Sequence, residues 1–280
     1  KDMSTEMSFI DIVQQHLDSK TTQLPPFDAT AQRVRQEAMK EDPDVQLIEQ
    51  LIVRDQAMTG QVLRVANSSF YKGLVKVSTV RNAIMRLGIN EVSNMVTLAT
   101  QKKNFQSKDP YINGIMRELW RHSVGCGVGA HWLAKQGGFP TLAAEVFFAG
   151  LLHDVGKLFI LAVVEDIRRN GNTGQQPSNA MMNEVMFNMH GKYGYELLKN
   201  WNLPDRYCNV ARDHHTEEYD PKDFLLLIVR LSDHACNKVG IGAPADPSVV
   251  LSALPEAKIL GFSEVDLAQF EIQLEDLPLC

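Results

Sequence analysis

The sequence predicts an all-α fold. Three observations carry that expectation: apolar residues recur at helical spacing in almost every periodic segment, alternating β-branched runs are nearly absent, and the periodic stretches end at glycine or proline. Phe9, Ile10, Val13 and Leu17, with Ile12 beside them, form a stripe within residues 1–20, and Leu24-Pro25-Pro26 breaks the chain. Val45, Leu47, Ile48, Leu51 and Ile52 predict a short helix from Asp44 to Arg54, and another runs from Thr59 to Ala66. Ser78 can cap a helix carrying Val80, Ala83, Ile84 and Leu87, which Gly88 ends; Asn90 can cap the next, through Val92, Met95, Val96 and Leu98. A long helical pattern follows from Asp109 to Lys135 and stops at Gly137-Gly138-Phe139-Pro140. Thr141 opens a new helix through Ala143, Ala144, Phe147 and Phe148. Gly171 to Ser178 reads as a flexible loop, with helices expected at 180–200, 204–215 and 222–238. A Gly/Pro-rich turn at 240–247 leads into a tail of short helices from Ser248, and no internal repeat or low-complexity segment is present.

The 280 residues suffice for one large domain or two small ones, and a 44% hydrophobic fraction suffices for a substantial core. Lys plus Arg number 28 against 34 Asp plus Glu, a net charge of −6 that argues against a dedicated nucleic-acid binder. The longest apolar runs, Val146 to Leu152 and Leu158 to Val164, fall far short of the roughly 18 residues a membrane span needs. Nothing at the N-terminus reads as a signal peptide, although Lys1 is not an initiator residue. Cys126, Cys208, Cys236 and Cys280 show no paired spacing and read as reduced thiols, so a cytoplasmic location is expected.

The chemistry is carried by histidine. Seven of the eight histidines lie between positions 122 and 234, with only His16 outside. The informative set is His122, the pair His153-Asp154, His190, the pair His214-His215, and Asp233. Imidazole and carboxylate are ligand types for Zn, Fe, Mn and Ni. Two close metals with positions left open for water or substrate need about six or seven such groups. A carboxylate has two oxygens, so Asp154 can touch both ions while His153 binds one. The expected partition is His122, His153, Asp154 and Asp233 around one position, and Asp154, His190, His214 and His215 around the other. Glu118, one helical turn before His122, can add a ligand or orient water.

This histidine and aspartate set resembles the HD superfamily of metal-dependent phosphohydrolases, in an order similar to the HD-GYP phosphodiesterases. The first half narrows the likeness. Leu24-Pro25-Pro26, Asp55-Gln56-Ala57-Met58-Thr59, the stretch from Leu63 to Tyr71 (LRVANSSFY) and Ala83-Ile84-Met85-Arg86-Leu87-Gly88 resemble the helical N-terminal portion of HDOD domains. Arg121-His122-Ser123, the stretch from Gly150 to Lys157 (GLLHDVGK) and Trp201-Asn202-Leu203-Pro204 are also similar to that family. The resemblance covers residues 20–238. It implies an N-terminal helical bundle (20–105) packed on an HD-like bundle (110–238), with an N-terminal helix (1–19) before them and short helices (239–280) after. It further implies a divalent, binuclear centre, with Fe, Mn, Ni, Zn and Mg not distinguished, and a Lys157 that faces substrate phosphate. Many HDOD proteins have lost part of the ligand set; here it is complete by type. After His214-His215 the chain runs Thr216-Glu217-Glu218-Tyr219-Asp220 instead of Gly-Tyr-Pro, so the likeness does not extend to cyclic di-GMP specificity.

Two functions from different classes follow. The first is a bacterial signalling module that acts through a protein partner or a phosphate-containing small molecule. The second is a metal-dependent phosphohydrolase or phosphodiesterase in which Asp154 and Lys157 are catalytic. A metal kept only as a structural staple joins the two. Of the other residues, Cys126 reads as a small buried residue in a Gly-rich helix and His16 and His131 as surface or packing residues. Met181, Met182, Met186 and Met189 read as core filler.

Overall fold

The computed structural model describes residues 7–19, 23–71, 76–170 and 177–277, and among these every regular element is a helix. Most of the expected loop at Gly171–Ser178, and Cys280, lie outside the described residues. The helices are α1 (Phe9–Ser19), α2 (Ala29–Ala38), α3 (Val45–Val53), α4 (Gln56–Ala66), α5 (Val80–Leu87), α6 (Ile89–Gln101) and α7 (Pro110–Gln136). They continue as α8 (Ala143–Leu152), α9 (Val155–Arg169), α10 (Asn179–Asn200), α11 (Asp205–Asp213), α12 (Phe224–Val239), α13 (Pro255–Ile259) and α14 (Glu264–Glu275). Two compact units result: Pro26–Asn104 forms one, and the remaining described chain, α1 included, forms the other.

The first unit is built by local caps around α6. Asp28, Asp44, Asp55 and Thr79 each accept from backbone N–H groups in the first turn of the helix they precede, which satisfies donors the helix leaves open. The cap of α5 is therefore Thr79 rather than Ser78. Asn90 caps nothing, because α6 begins one residue earlier, directly after Gly88; at φ +91° that glycine turns the chain between the two helices without a spacer. No strong apolar stripe marks α2, whose buried residues are mostly small, and its sequence signal is the Asp28 cap. Asn67 closes the turn after α4: its amide donates to the Leu63 and Val77 carbonyls while its oxygen accepts from the Val77 N–H.

In the second unit the 27-residue α7 packs on α8 and α12, α10 packs on α9 and α11, and α1 lies on α9 and α10. Two crossings depend on glycine. At α7–α8 a Cβ on Gly127 would meet the Phe147 carbonyl oxygen at 2.9 Å, and one on Gly150 would meet the Gly127 Cα at 3.0 Å. At α9–α10 a Cβ on Gly156 would lie 2.0 Å from the His190 carbonyl oxygen and 2.7 Å from the Gly194 nitrogen. The backbones meet directly at these points. Farther along, Arg230 on α12 bonds Glu256 on α13 at 2.5 Å and the carbonyls of His214 and Thr216 at 2.9 and 2.8 Å, which fixes the turn after α11. Cys126, Cys208 and Cys236 are buried free thiols, and Met182 and Met189 are buried, whereas Met181 is exposed.

One segment among the described residues, Pro140–Arg169, is long and apolar enough to cross a membrane by length and composition. An apolar 18-residue stretch of it is 89% buried inside the protein, and the segment is interrupted at His153-Asp154, so it serves as core of the second unit.

A methyl at Gly156 has only backbone to push against. Gly156→Ala is expected to destabilise the protein by about 1–3 kcal/mol, the cost of overpacking, and to lower the Tm by several degrees in a calorimetric scan. Gly114→Ala on α7, where the added carbon meets nothing within 4 Å, is the control and should hold or slightly raise the Tm.

Candidate metal centre

The elements bring the seven histidine and aspartate side chains to one place. His122 lies midway along α7, His153 and Asp154 form the link between α8 and α9, and His190 lies within α10. His214 and His215 follow α11, and Asp233 lies within α12. All but His215 are buried. The ligand atoms of Asp154, His190, His214 and His215 lie within 4.8 Å of one another, and so do those of His122, His153 and Asp233.

Asp154 joins the two groups through different oxygens. Its Oδ2 is 3.6 Å from His122 Nε2 and 3.5 Å from His153 Nε2, whereas its Oδ1 is 3.5 Å from His190 Nε2 and 3.4 Å from His214 Nε2. Asp233 Oδ1 lies 3.0 Å from His122 Nε2 and 3.8 Å from His153 Nε2. The other nitrogen of each buried ring is anchored on backbone. His122 Nδ1 is 3.0 Å from the Ile241 oxygen, His153 Nδ1 2.7 Å from Gly150, His190 Nδ1 2.7 Å from Met186 and His214 Nδ1 3.0 Å from Ala211. A carbonyl only accepts, so each Nδ1 donates to backbone and Nε2 is the atom that each ring turns inward. The Nε2 atoms of His190 and His214 are 3.2 Å apart, a contact between two lone pairs that a cation between them relieves.

Within the cluster, two buried polar atoms have no hydrogen-bond partner: His153 Nε2 and Asp154 Oδ1. Each belongs to a different end of the cluster, and an orphaned buried acceptor costs about 1–3 kcal/mol. Imidazole nitrogens, carboxylate oxygens and orphaned acceptors together fit a divalent transition metal. Lys157, one turn into α9, places its ammonium 2.5 Å from Asp154 Oδ2.

Protonation divides the cluster: burial alone would lower the His153 imidazole, but its neighbours Cys126, Asp154 and Asp233 outweigh it and raise it well above the ordinary range. Burial alone would raise the Asp154 carboxyl, but Lys157 and the surrounding histidines, His153 first, outweigh it and hold it well below the carboxylate range. Asp233 behaves alike, with His122 and His153 overcoming burial. Burial pulls the His190 imidazole down to about 4 and lowers His214, so both are neutral near pH 7. Glu118 belongs to neither group; its carboxylate pairs with Arg121 at 2.7 Å and Arg117 at 3.7 Å on the surface of α7. Cys126 is buried, with its thiol pushed up by burial, and His131 is buried edge-on to Phe147. The groups that sequence reasoning missed are the anchors. Met186, Gly150 and Ala211 lie three or four residues from their histidines, as any helix supplies, but Ile241 is 119 residues from His122 and leaves no local signal.

The sequence profile of the HDOD domain matches residues 24–217. An uncharacterised protein of Treponema pallidum (strain Nichols) is 28% identical over 197 residues, covering 67% of this chain and 37% of that protein, so the chain spans well under half of its relative's length. Among solved structures, an HDOD domain protein of unknown function from Geobacter sulfurreducens superposes with a TM-score of 0.72 at 22% identity, covering 95% of this chain and 93% of that one. A protein of Shewanella amazonensis SB2B, proposed as a metal-dependent phosphohydrolase, gives 0.69 at 17% identity over 95% and 97% of the two chains. One of Marinobacter aquaeolei VT8, proposed as a signal transduction protein, gives 0.63 at 19% identity over 97% and 64%. At these identities the likeness is one of fold.

Asp154→Asn keeps the side chain's shape but removes its charge and replaces one oxygen with an NH₂ donor. Metal analysis of the purified variant should find at least about half of the parent's metal lost, since one carboxylate serves both groups, with the helical circular dichroism unchanged. Equal metal content in variant and parent would remove Asp154 from the bridging position.

Proposed function

The chain belongs to the HDOD domain family, and from that premise we propose that it is a metal-dependent phosphohydrolase serving bacterial signalling. The observation that carries the reading is the split of Asp154, one oxygen toward His122 and His153 and the other toward His190 and His214. In it, His122, His153, Asp154 and Asp233 hold one divalent cation and Asp154, His190, His214 and His215 a second. Such a pair, when bound, supplies a water acidic enough to ionise near neutral pH and a Lewis-acid hold on phosphate oxygens.

The protein's own groups have separate tasks. The backbone carbonyls fix the ring tautomers, so that Nε2 is always the inward atom. Burial of six of the seven residues excludes bulk water, which strengthens every charge interaction inside. Lys157 is about one quarter exposed and His215 is exposed, so these two residues are where solvent reaches the site. With divalent cations held by those residues, the Lys157 ammonium would be free to face the charge that builds on a bound phosphate. The fold likeness to the Shewanella protein is consistent with this reading.

A second reading has its own observation. Lys157 already sits on Asp154 Oδ2, so the site carries an internal cation. That suits a signalling module that holds metal as a staple or holds none, and acts through a protein partner in the cytoplasm.

The readings separate on two measurements. With added Mn, Fe or Ni, the parent is expected to hydrolyse p-nitrophenyl phosphate or its bis ester, and Lys157→Ala should lower kcat about 10²-fold, the usual size for removing one charge-stabilising donor, with metal content kept. No turnover of either ester with any of the three metals would overturn the hydrolase in favour of the regulatory module.

A further inference from the structure

The exposed ring of Phe187 is not accounted for by packing. It is 69% exposed, more than any other large apolar side chain among the described residues of its unit. Single exposed apolar residues are ordinary on protein surfaces; the position of this one is not. Phe187 lies one helical turn before His190 on α10, hence on the same flank of the helix. Its ring centroid is 5.9 Å from that of His215, the exposed member of the proposed ligand set, with the planes inclined by 35°. His215 in turn lies 5.1 Å from His190 and 4.1 Å from His214, ring to ring. A continuous path of rings thus runs from the buried cluster through His215 to the exposed ring of Phe187. The buried neighbours on α10, Met182, Val185 and Met189, account for the helix's packing without Phe187.

We propose that Phe187 is a stacking platform that selects phosphate esters carrying a planar ring, in chemical terms mononucleotides. This rests on the phosphohydrolase reading above, since it takes the phosphate to sit at the Lys157 and histidine end. An aromatic face in water stacks on any nucleobase and does so with little regard to which base. Lys157 addresses the phosphate, and Phe187, beside the exposed His215, addresses what the phosphate is attached to. The sugar of a nucleotide is the spacer that lets one molecule meet both.

Adenosine 5′-monophosphate and ribose 5-phosphate share phosphate and sugar and differ by the base, so the pair isolates the platform. Their affinities for the manganese-loaded protein, measured by isothermal titration calorimetry, should differ by about tenfold in favour of the nucleotide in the parent, the usual worth of one stacked base. Phe187→Ala should bring the two affinities together by weakening the nucleotide alone. Phe187→Trp should restore the difference. Equal binding of both compounds to the parent, or a Phe187→Ala variant that keeps the full difference or weakens both alike, would overturn the platform while leaving the phosphate site standing. If neither compound, nor inorganic phosphate, binds the manganese-loaded parent, the phosphate reading falls and the platform with it.

Discussion

Asp154 and Asp233 are ionised carboxylates buried in a cluster of imidazoles, and the need to balance them organises the unit around them. A buried charge without compensation costs several kcal/mol. Here the histidine partners are assembled from two helices, α7 and α10, and from the turns after α8 and α11. The N-terminus of α9, which begins beside Asp154, adds the favourable end of a helix dipole. Lys157 adds a full charge from the next turn. What remains is a set of inward lone pairs and two unpartnered atoms that a cation satisfies and a solvated surface would not need.

Convergence of that kind limits how far apart the helices can stand. Side chains as short as aspartate and histidine meet from separate helices only when the backbones approach closely. The α7–α8 and α9–α10 crossings answer this with glycine at the points of contact, next to Cys126 in one case and against the His190 carbonyl in the other. Glycine inside a helix is less stable than alanine by about 0.5–1 kcal/mol, and dense apolar packing offsets it. Phe148, Leu151, Leu152, Leu158 and Ile160 are essentially fully buried beside the His153-Asp154 link. The long apolar segment Pro140–Arg169 therefore carries the buried His153-Asp154 pair.

The turn after α11 is held from outside the cluster. Arg230 binds the His214 and Thr216 carbonyls, is balanced by Glu256, and lies 4.5 Å from the Tyr219 ring centroid. The residues that replace Gly-Tyr-Pro in this chain thus include one that packs on the arginine positioning His214. The Gly-Tyr-Pro of the HD-GYP proteins is absent there, and Tyr219 makes a structural contact instead.

The sequence by itself determined the helical class, the HDOD likeness and the residue types of the cluster. Helical periodicity and caps are local, and the spacing of His122, His153-Asp154, His190, His214-His215 and Asp233 is visible without coordinates. Element edges were legible less well, because Thr79 and Ser78 are equally plausible caps by type and only the backbone selects one. Tertiary structure alone decided which oxygen of Asp154 faces which histidines, that Ile241 anchors His122, that Glu118 turns away to Arg121, and that Phe187 stands bare beside His215. Each of these depends on the direction of a side chain relative to residues distant in the chain. Those directions are set by helix crossing geometry, which no local pattern of residue types encodes.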